Sequence, residues 1–153
     1  AALELAPHGL NQALQEVLDL MAANLNHHQI LLINKFAPDL PAITFDLDKL
    51  KQAFMNIVLN AMEAMPKGGT LEILALQDSD QVRVDIVDTG VGLPSEDINR
   101  LFEPFFTTKS QGTGLGLANA KRVLEQHGGK IRIKSVARQG TTVSLWLPLE
   151  QKI

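Results

Sequence analysis

Three groups of residues in this chain have types and spacings that could do chemistry: two asparagines one helical turn apart, an aspartate leading into paired glycines, and a glycine run broken by Thr113. Asn56 and Asn60 lie within about 40° of each other if the segment is helical, with Gln52 and Glu63 on the same stripe. An Asn amide oxygen is a neutral, hard ligand suited to Mg²⁺, which otherwise keeps waters and substrate phosphates in its shell. A plain solvated face has the same amphipathic pattern. Asn is nonetheless a poor mid-helix residue, about half a kcal/mol or more worse than Ala. Asp88 ends an alternating row, and a carboxylate facing the core must be paired or must accept hydrogen bonds. Gly90 and Gly92 after it permit positive φ and close approach of a ligand. A buried acceptor beside exposed backbone suits a purine amino group; an ordinary Asp-Gly turn fits these residues equally well. Gly112-Thr113-Gly114-Leu115-Gly116-Leu117 opens a helix, where bare N–H groups make an anion site. Its spacing matches neither the P-loop nor the dinucleotide fingerprint, and a glycine-rich hinge is the simpler alternative. Just before it, Phe102, Phe105 and Phe106 stand in a polar stretch with Thr107, Thr108 and Lys109. Aromatics there suggest a lid with an apolar anchor, although core packing of the rings is compatible with the pattern. Lys109 has the reach and point charge to meet terminal phosphates; a solvated lysine is the alternative.

Positioning these residues requires helices and strands in a particular order. Residues 2–6 are expected to form a short strand. Leu10, Leu14, Val17, Leu18, Met21 and Leu25 have helical spacing over 9–26. Residues 29–36 are β-like and end before Pro38 and Pro41. A second helix runs from about Asp46, as N-cap, to Met65, ended by Pro66-Lys67-Gly68-Gly69. Its apolar face is Leu47, Leu50, Phe54, Ile57, Val58, Ala61 and Met65. Segments 70–77 and 81–88 alternate and are joined by Asp78-Ser79-Asp80, which predicts a hairpin. In the second of them Val82, Val84, Ile86 and Asp88 share one face. Residues 89–113 are a long loop-rich stretch with one short helical piece near 95–101, and such stretches are functional or disordered. A third helix over 115–127 and strands over 130–136 and 141–148 complete the chain. The order predicts a single domain over residues 1–153: an α/β two-layer sandwich, with a mixed, mostly antiparallel sheet under three helices.

The bulk numbers set limits. With 153 residues the chain suits one core. It is 45% hydrophobic and 20% charged, ordinary for a globular protein. A net charge of -3 gives no electrostatic footprint for nucleic acid. Without cysteine, disulfides and thiolate metal sites are excluded. No apolar run approaches the roughly 18 residues of a membrane span. A start at Ala1-Ala2-Leu3, with no Met, suggests a fragment or a processed chain, and no signal peptide is evident.

Together the segments resemble the Bergerat-fold ATPase and kinase superfamily that includes DNA gyrase, Hsp90, MutL and histidine kinases, and resemble the histidine kinases most. Asn56-Ile57-Val58-Leu59-Asn60-Ala61 looks like the N box. Asp88-Thr89-Gly90-Val91-Gly92 looks like the first glycine box, Phe102-Glu103-Pro104-Phe105-Phe106 like the F box, and Gly112 to Leu117 like the second glycine box. His127-Gly128-Gly129 and Gly140-Thr141-Thr142 are similar to the closing hairpin. Asn60-Ala61-Met62-Glu63-Ala64-Met65 and Phe106-Thr107-Thr108-Lys109 resemble the nitrogen-regulation-type subgroup. The resemblance implies ATP and Mg²⁺ as cofactors, with Asn60 on the metal and Asn56 in support. It implies that Asp88 accepts the adenine amino proton, that Gly90 and Gly92 let the base approach, and that Thr141 helps at the adenine edge. Residues 93–113, from Leu93 onward, would form an ATP lid. The N–H groups of Gly112, Thr113, Gly114, Leu115, Gly116 and Leu117 would hold phosphates. Glu63, Phe102, Thr107, Thr108 and Lys109 would complete the nucleotide site, and Asn56, Asn60 and Lys109 would serve catalysis.

Two departures matter. Many histidine kinases have Lys three residues after the metal-binding Asn; here Glu63 stands there, which makes Lys109 the candidate for that phosphate contact. No His-Glu or His-Asp acceptor motif is present: His8, His27, His28 and His127 have the wrong neighbours. The expectation is a cytoplasmic, monomeric ATP-binding domain that phosphorylates a histidine on a separate dimerisation and acceptor domain. A response regulator would be an indirect partner, nucleic acid would not be one, and the full protein would be free to carry a membrane anchor. The alternatives are an ATP hydrolase driving a clamp, or a nucleotide-binding module that is either inactive or acts on a protein serine. The hydrolases carry a Glu general base one turn before the metal-binding Asn, and here that residue is Asn56, which takes no proton at neutral pH.

Overall fold

The computed structural model describes residues 2–103 and 116–150. The chain runs β1 (Ala6–His8), α1 (Leu10–His27), β2 (Ile30–Phe36), β3 (Ile43–Phe45), α2 (Leu47–Glu63), β4 (Gly69–Asp78), β5 (Gln81–Asp88) and α3 (Ser95–Ile98). A 3-10 turn over Asn99–Phe102 follows, then α4 (Gly116–Gln126), β6 (Lys130–Val136) and β7 (Gly140–Pro148). The five-stranded sheet has the order β2-β4-β5-β7-β6. Among the described strands only the β2–β4 pair is parallel. The predicted mixed, mostly antiparallel sheet is therefore present. Its helical layer holds α1, α2 and α4, the three expected helices, and the short α3 is a fourth.

Register explains why the helices take one face. Leu71 of β4 pairs with Asp88 of β5, and Asp88 pairs with Thr141 of β7. Ile73, Ile86 and Val143 form the next row, and Ala75, Val84 and Leu145 the one after. All nine side chains are buried, Asp88 and Thr141 among them. The alternation of 82–88 thus places Asp88 at the end of the core-facing row, as its parity predicts. The apolar stripes of α1 and α2 close over these rows: every predicted core position of α1 is buried, and in α2 so are Leu50, Phe54, Ile57, Val58 and Ala61, with Leu47 packed against the core at its edge. Burying each such aliphatic side chain is worth roughly 1.5–3 kcal/mol. The opposite face of the sheet is finished with polar groups. Arg83 bridges Asp78 and Asp85 at 3.4 and 3.3 Å, Ser144 donates to Asp85, and Lys130 lies 4.7 Å from the Trp146 ring centre.

One expectation needed correction. The first strand lies at Ala6–His8 rather than 2–6, because it is defined by antiparallel pairing with β3, a three-residue strand that the sequence pattern did not show. Backbone partners, not side-chain periodicity, create such short strands.

Asp46 caps α2 as predicted, and it also gathers distant chain. Its Oδ1 accepts the Lys49 N–H at 3.1 Å and its Oδ2 the Glu4 N–H at 2.9 Å. Its own backbone N–H donates to Nε2 of the fully buried His127 at 3.0 Å. Burial pushes the Asp46 carboxyl upward, but the Glu4 and Lys49 N–H groups and the Lys49 charge outweigh it and hold the group below the ordinary carboxylate value. A depressed folded-state pKa gives stability that is complete above the unfolded value and is lost as pH falls through the folded one. Asp46→Ala should therefore lower Tm by about 2–4 °C at pH 7, corresponding to about 1 kcal/mol of capping. The gap from wild type should begin to narrow below about pH 4, the unfolded value, and close as pH falls through the lower native one. Thermal melts of both proteins between pH 7 and pH 2 check this; a constant gap would contradict it.

Candidate nucleotide site

The Asp88 turn is docked against the end of α2. Asp88 Oδ1 accepts the Gly90 N–H at 2.8 Å and the Thr141 N–H at 3.2 Å. Val91 N–H donates to the Ala64 carbonyl at the α2 C-terminus at 3.0 Å, and the Val91 carbonyl accepts from Arg138 N–H at 2.6 Å. Gly90 and Gly92 acquire a packing reason here. A Cβ on Gly90 would fall on the Ala64 carbonyl oxygen, and one on Gly92, whose φ is 67°, would fall on the Val136 carbonyl oxygen. The turn is thus wedged between the end of α2 and the β6–β7 hairpin, which fixes the buried carboxylate.

Ser135 joins this end of the sheet, and the sequence reading missed it. Its Oγ accepts the Leu93 N–H at 2.9 Å and lies 2.7 Å from Thr141 Oγ1. It thereby anchors the start of the 93–113 segment beside Asp88. Its register opposite Thr141 was the available signal, but that depends on the length of the hairpin turn.

The amide stripe of α2 runs away from this turn. Asn56 and Asn60 are half-buried, and Gln52 and Glu63 are exposed. At the far end, the α-carbon of Gly116, the first residue of α4, faces Asn56: a Cβ built there would lie 3.6 Å from the Asn56 Cβ. The N-terminus of an 11-residue helix therefore abuts the stripe. Asn56 and Ala64 are eight residues apart, so α4's start and the Asp88 turn sit about 12 Å apart along α2. One side chain row thus joins an anion-favouring helix end to a buried carboxylate. Leu117 is buried, and Phe102 is half-buried with Lys121 Nζ 5.2 Å from its ring centre. Of the residues the sequence singled out, Phe105, Phe106, Thr107, Thr108, Lys109, Gly112, Thr113, Gly114 and Leu115 lie outside the described residues.

The donor set fits Mg²⁺ carried by a nucleotide. Among the described residues no three His, Cys, Asp or Glu side chains converge to hold a metal alone. An amide oxygen is a neutral, hard donor of the kind that such an ion accepts alongside waters and phosphates.

Residues 45–151 match the model of the family described as histidine kinase-, DNA gyrase B- and HSP90-like ATPases. The chain belongs to this family. Among curated relatives, the sensor histidine kinase ZraS of Escherichia coli (strain K12) is 36% identical over 140 residues, which is 92% of this chain and 30% of ZraS. This chain thus spans about a third of that relative's length. The catalytic domain of the histidine kinase ThkA, in a nucleotide-free form, superposes with a TM-score of 0.88 at 30% identity, covering 97% of each chain. Full-length ShkA in complex with AMPPNP also matches, with a TM-score of 0.88 at 27% identity over 99% of this chain and 32% of ShkA. No helix among the described residues is long and apolar enough to cross a membrane.

Proposed function

We propose that this domain binds Mg·ATP and transfers the γ-phosphoryl group to an imidazole nitrogen of a histidine on a separate dimerisation and acceptor domain, as a step of two-component signalling. The observation that carries this reading is the amide pair on α2. Asn56 and Asn60 occupy the stripe between the start of α4 and the Asp88 turn, and Asn56 offers no carboxylate to activate water. Support for the ligand comes from the AMPPNP bound in ShkA and from the family's ATPase name. Support for the histidine acceptor comes from relatives named as sensor histidine kinases. A response regulator is the downstream partner, nucleic acid is not one, the isolated domain is a monomer, and the domain is cytoplasmic.

Each residue has a physical task. Asp88 holds the adenine amino group, with its carboxylate fixed by the Gly90 and Thr141 N–H groups. Asn60 binds the metal through its amide oxygen, and Asn56 supports it. The N–H groups at the start of α4, Gly116 and Leu117 among them, favour the phosphates at a positive helix end. Leu93, Phe102, Thr107, Thr108, Lys109 and Gly112–Leu115 complete the site, with Lys109 as a cation for the terminal phosphates in place of the lysine that Glu63 replaces. Bound Mg·ATP supplies the phosphoryl group and a metal that neutralises charge on it. As the imidazole nitrogen bonds to the γ-phosphorus, the bond to the bridging oxygen breaks and ADP leaves. The protein's contribution is position and charge, which dominate this chemistry.

Asn60→Ala tests the metal assignment. Nucleotide affinity should fall about tenfold or more in Mg²⁺, because a direct ligand is gone. In EDTA it should hardly change. Calorimetry in the two buffers reads the difference, and an equal loss in both would make Asn60 a structural residue of α2.

A further inference from the structure

The buried His127 lies outside every role assigned so far, yet it is fully enclosed and bonded at both ring nitrogens. Its Nε2 accepts the backbone N–H of Asp46 at 3.0 Å, and its Nδ1 lies 2.7 Å from the Val123 carbonyl. An amide N–H can only donate and a carbonyl can only accept. The tautomer with its proton on Nδ1 satisfies both bonds. The bond to Asp46 spans 81 residues and ties the C-terminal end of α4 to the N-cap of α2.

The N-terminus of α4 also approaches the middle of α2, at Gly116 and Asn56. Asp46 and Asn56 are ten residues apart on α2, and Gly116 and His127 are eleven apart on α4. At 1.5 Å per residue these spans are about 15 and 16 Å. The helices are thus antiparallel and packed side by side, with the His127–Asp46 bond as a polar tie at one end. His127 supplies a directional polar tie, while Leu117, Ala120, Val123 and Leu124 supply apolar packing that carries no hydrogen-bond direction. A slip of one residue would move the α4 N-terminus by about 1.5 Å along Asn56 and Asn60.

We propose that His127 is a positioning residue for the phosphate end of the site: it locks α4 in register on α2, and so holds the α4 N-terminus against the Asn56–Asn60 stripe. This rests on the nucleotide-site reading above. Displacements of about 1 Å far from the chemistry are enough to cost on the order of 100-fold in rate, so the lock acts on what the helix end holds. The adenine end rests on β5, β7, the β6–β7 turn and the α2 C-terminus at Ala64, about 27 Å along α2 from Asp46.

Two substitutions separate this role from general packing. In His127→Gln the amide oxygen extends to the place of Nε2 and can still accept from Asp46. In His127→Asn the shorter side chain reaches only the place of Nδ1. Binding of Mg·AMPPNP and of AMP in EDTA is measured for each by calorimetry on the folded domain. His127→Gln should bind Mg·AMPPNP within about threefold of wild type and His127→Asn about tenfold more weakly, since only the former keeps the tie. Both should bind AMP within about twofold of wild type. Equal Mg·AMPPNP affinities for the two variants would overturn the proposal. So would parallel losses of AMP and Mg·AMPPNP, which would show general loosening, or a His127→Asn protein that does not fold beside a His127→Gln protein that binds Mg·AMPPNP poorly. Asp88→Asn serves as the control on the underlying reading. If it leaves AMP binding unchanged, the adenine assignment fails first and the proposal falls with it; if it removes AMP binding, the His127 results bear on register alone.

Discussion

Asp88→Asn is expected to remove nearly all ATP binding while the domain stays folded. The buried carboxylate uses Oδ1 for the Gly90 and Thr141 N–H groups. An asparagine oxygen can keep those two bonds, and the turn stays wedged between Ala64 and Val136. The amide then puts an NH₂ group in place of the second carboxylate oxygen. A donor now stands where the adenine amino group needs an acceptor, and the charge that strengthens the bond is gone. The lost charged hydrogen bond and the unpaired donors together cost roughly 2–4 kcal/mol, or about 30- to 1000-fold in Kd. Calorimetry with an ATP analogue, alongside a thermal melt, separates lost binding from lost folding. Unchanged affinity would reduce Asp88 to a turn residue.

The parts of this site that the sequence made legible are those set by periodicity. The helical period separates the buried stripe of α2 from Asn56 and Asn60, and the strand period puts Asp88 and Thr141 on the core face before any pairing is known. Asp46 was readable as a cap because capping is local. What stayed hidden depends on distant partners. Strands β1 and β3 are three residues each and exist through one another. Ser135 reaches Thr141 only because the β6–β7 turn sets their register. His127 had only unhelpful neighbours in sequence, since its partner at Asp46 is 81 residues away. The glycines of the Asp88 turn were recognised for their freedom, while the backbone that fills the space beside Gly90 and Gly92 comes from α2 and β6.

The second large effect separates a kinase from a hydrolase. A hydrolase of this fold needs a base to activate water, and the residue one turn before Asn60 is Asn56, which accepts no proton at neutral pH. General-base help is worth about 10²–10⁴ in rate, so the isolated domain should turn over Mg·ATP barely above background. It should also take up no label itself, because none of His8, His27, His28 and His127 is followed by an acidic residue, and His127 is fully buried. An imidazole nitrogen, by contrast, is already a nucleophile when neutral, and needs only to be held in line with the γ-phosphorus. Without a tether the two domains meet by diffusion, so transfer should be slow and rise with partner concentration.

The decisive measurement mixes this domain with its cognate helical-hairpin acceptor domain and γ-labelled Mg·ATP. Label should appear on the partner, in a bond that acid breaks and base does not, and both Asp88→Asn and Asn60→Ala should suppress it. Brisk ATP turnover by the domain alone, abolished by Asn60→Ala, would contradict the kinase assignment in favour of a hydrolase, and label on a partner serine would contradict the histidine acceptor.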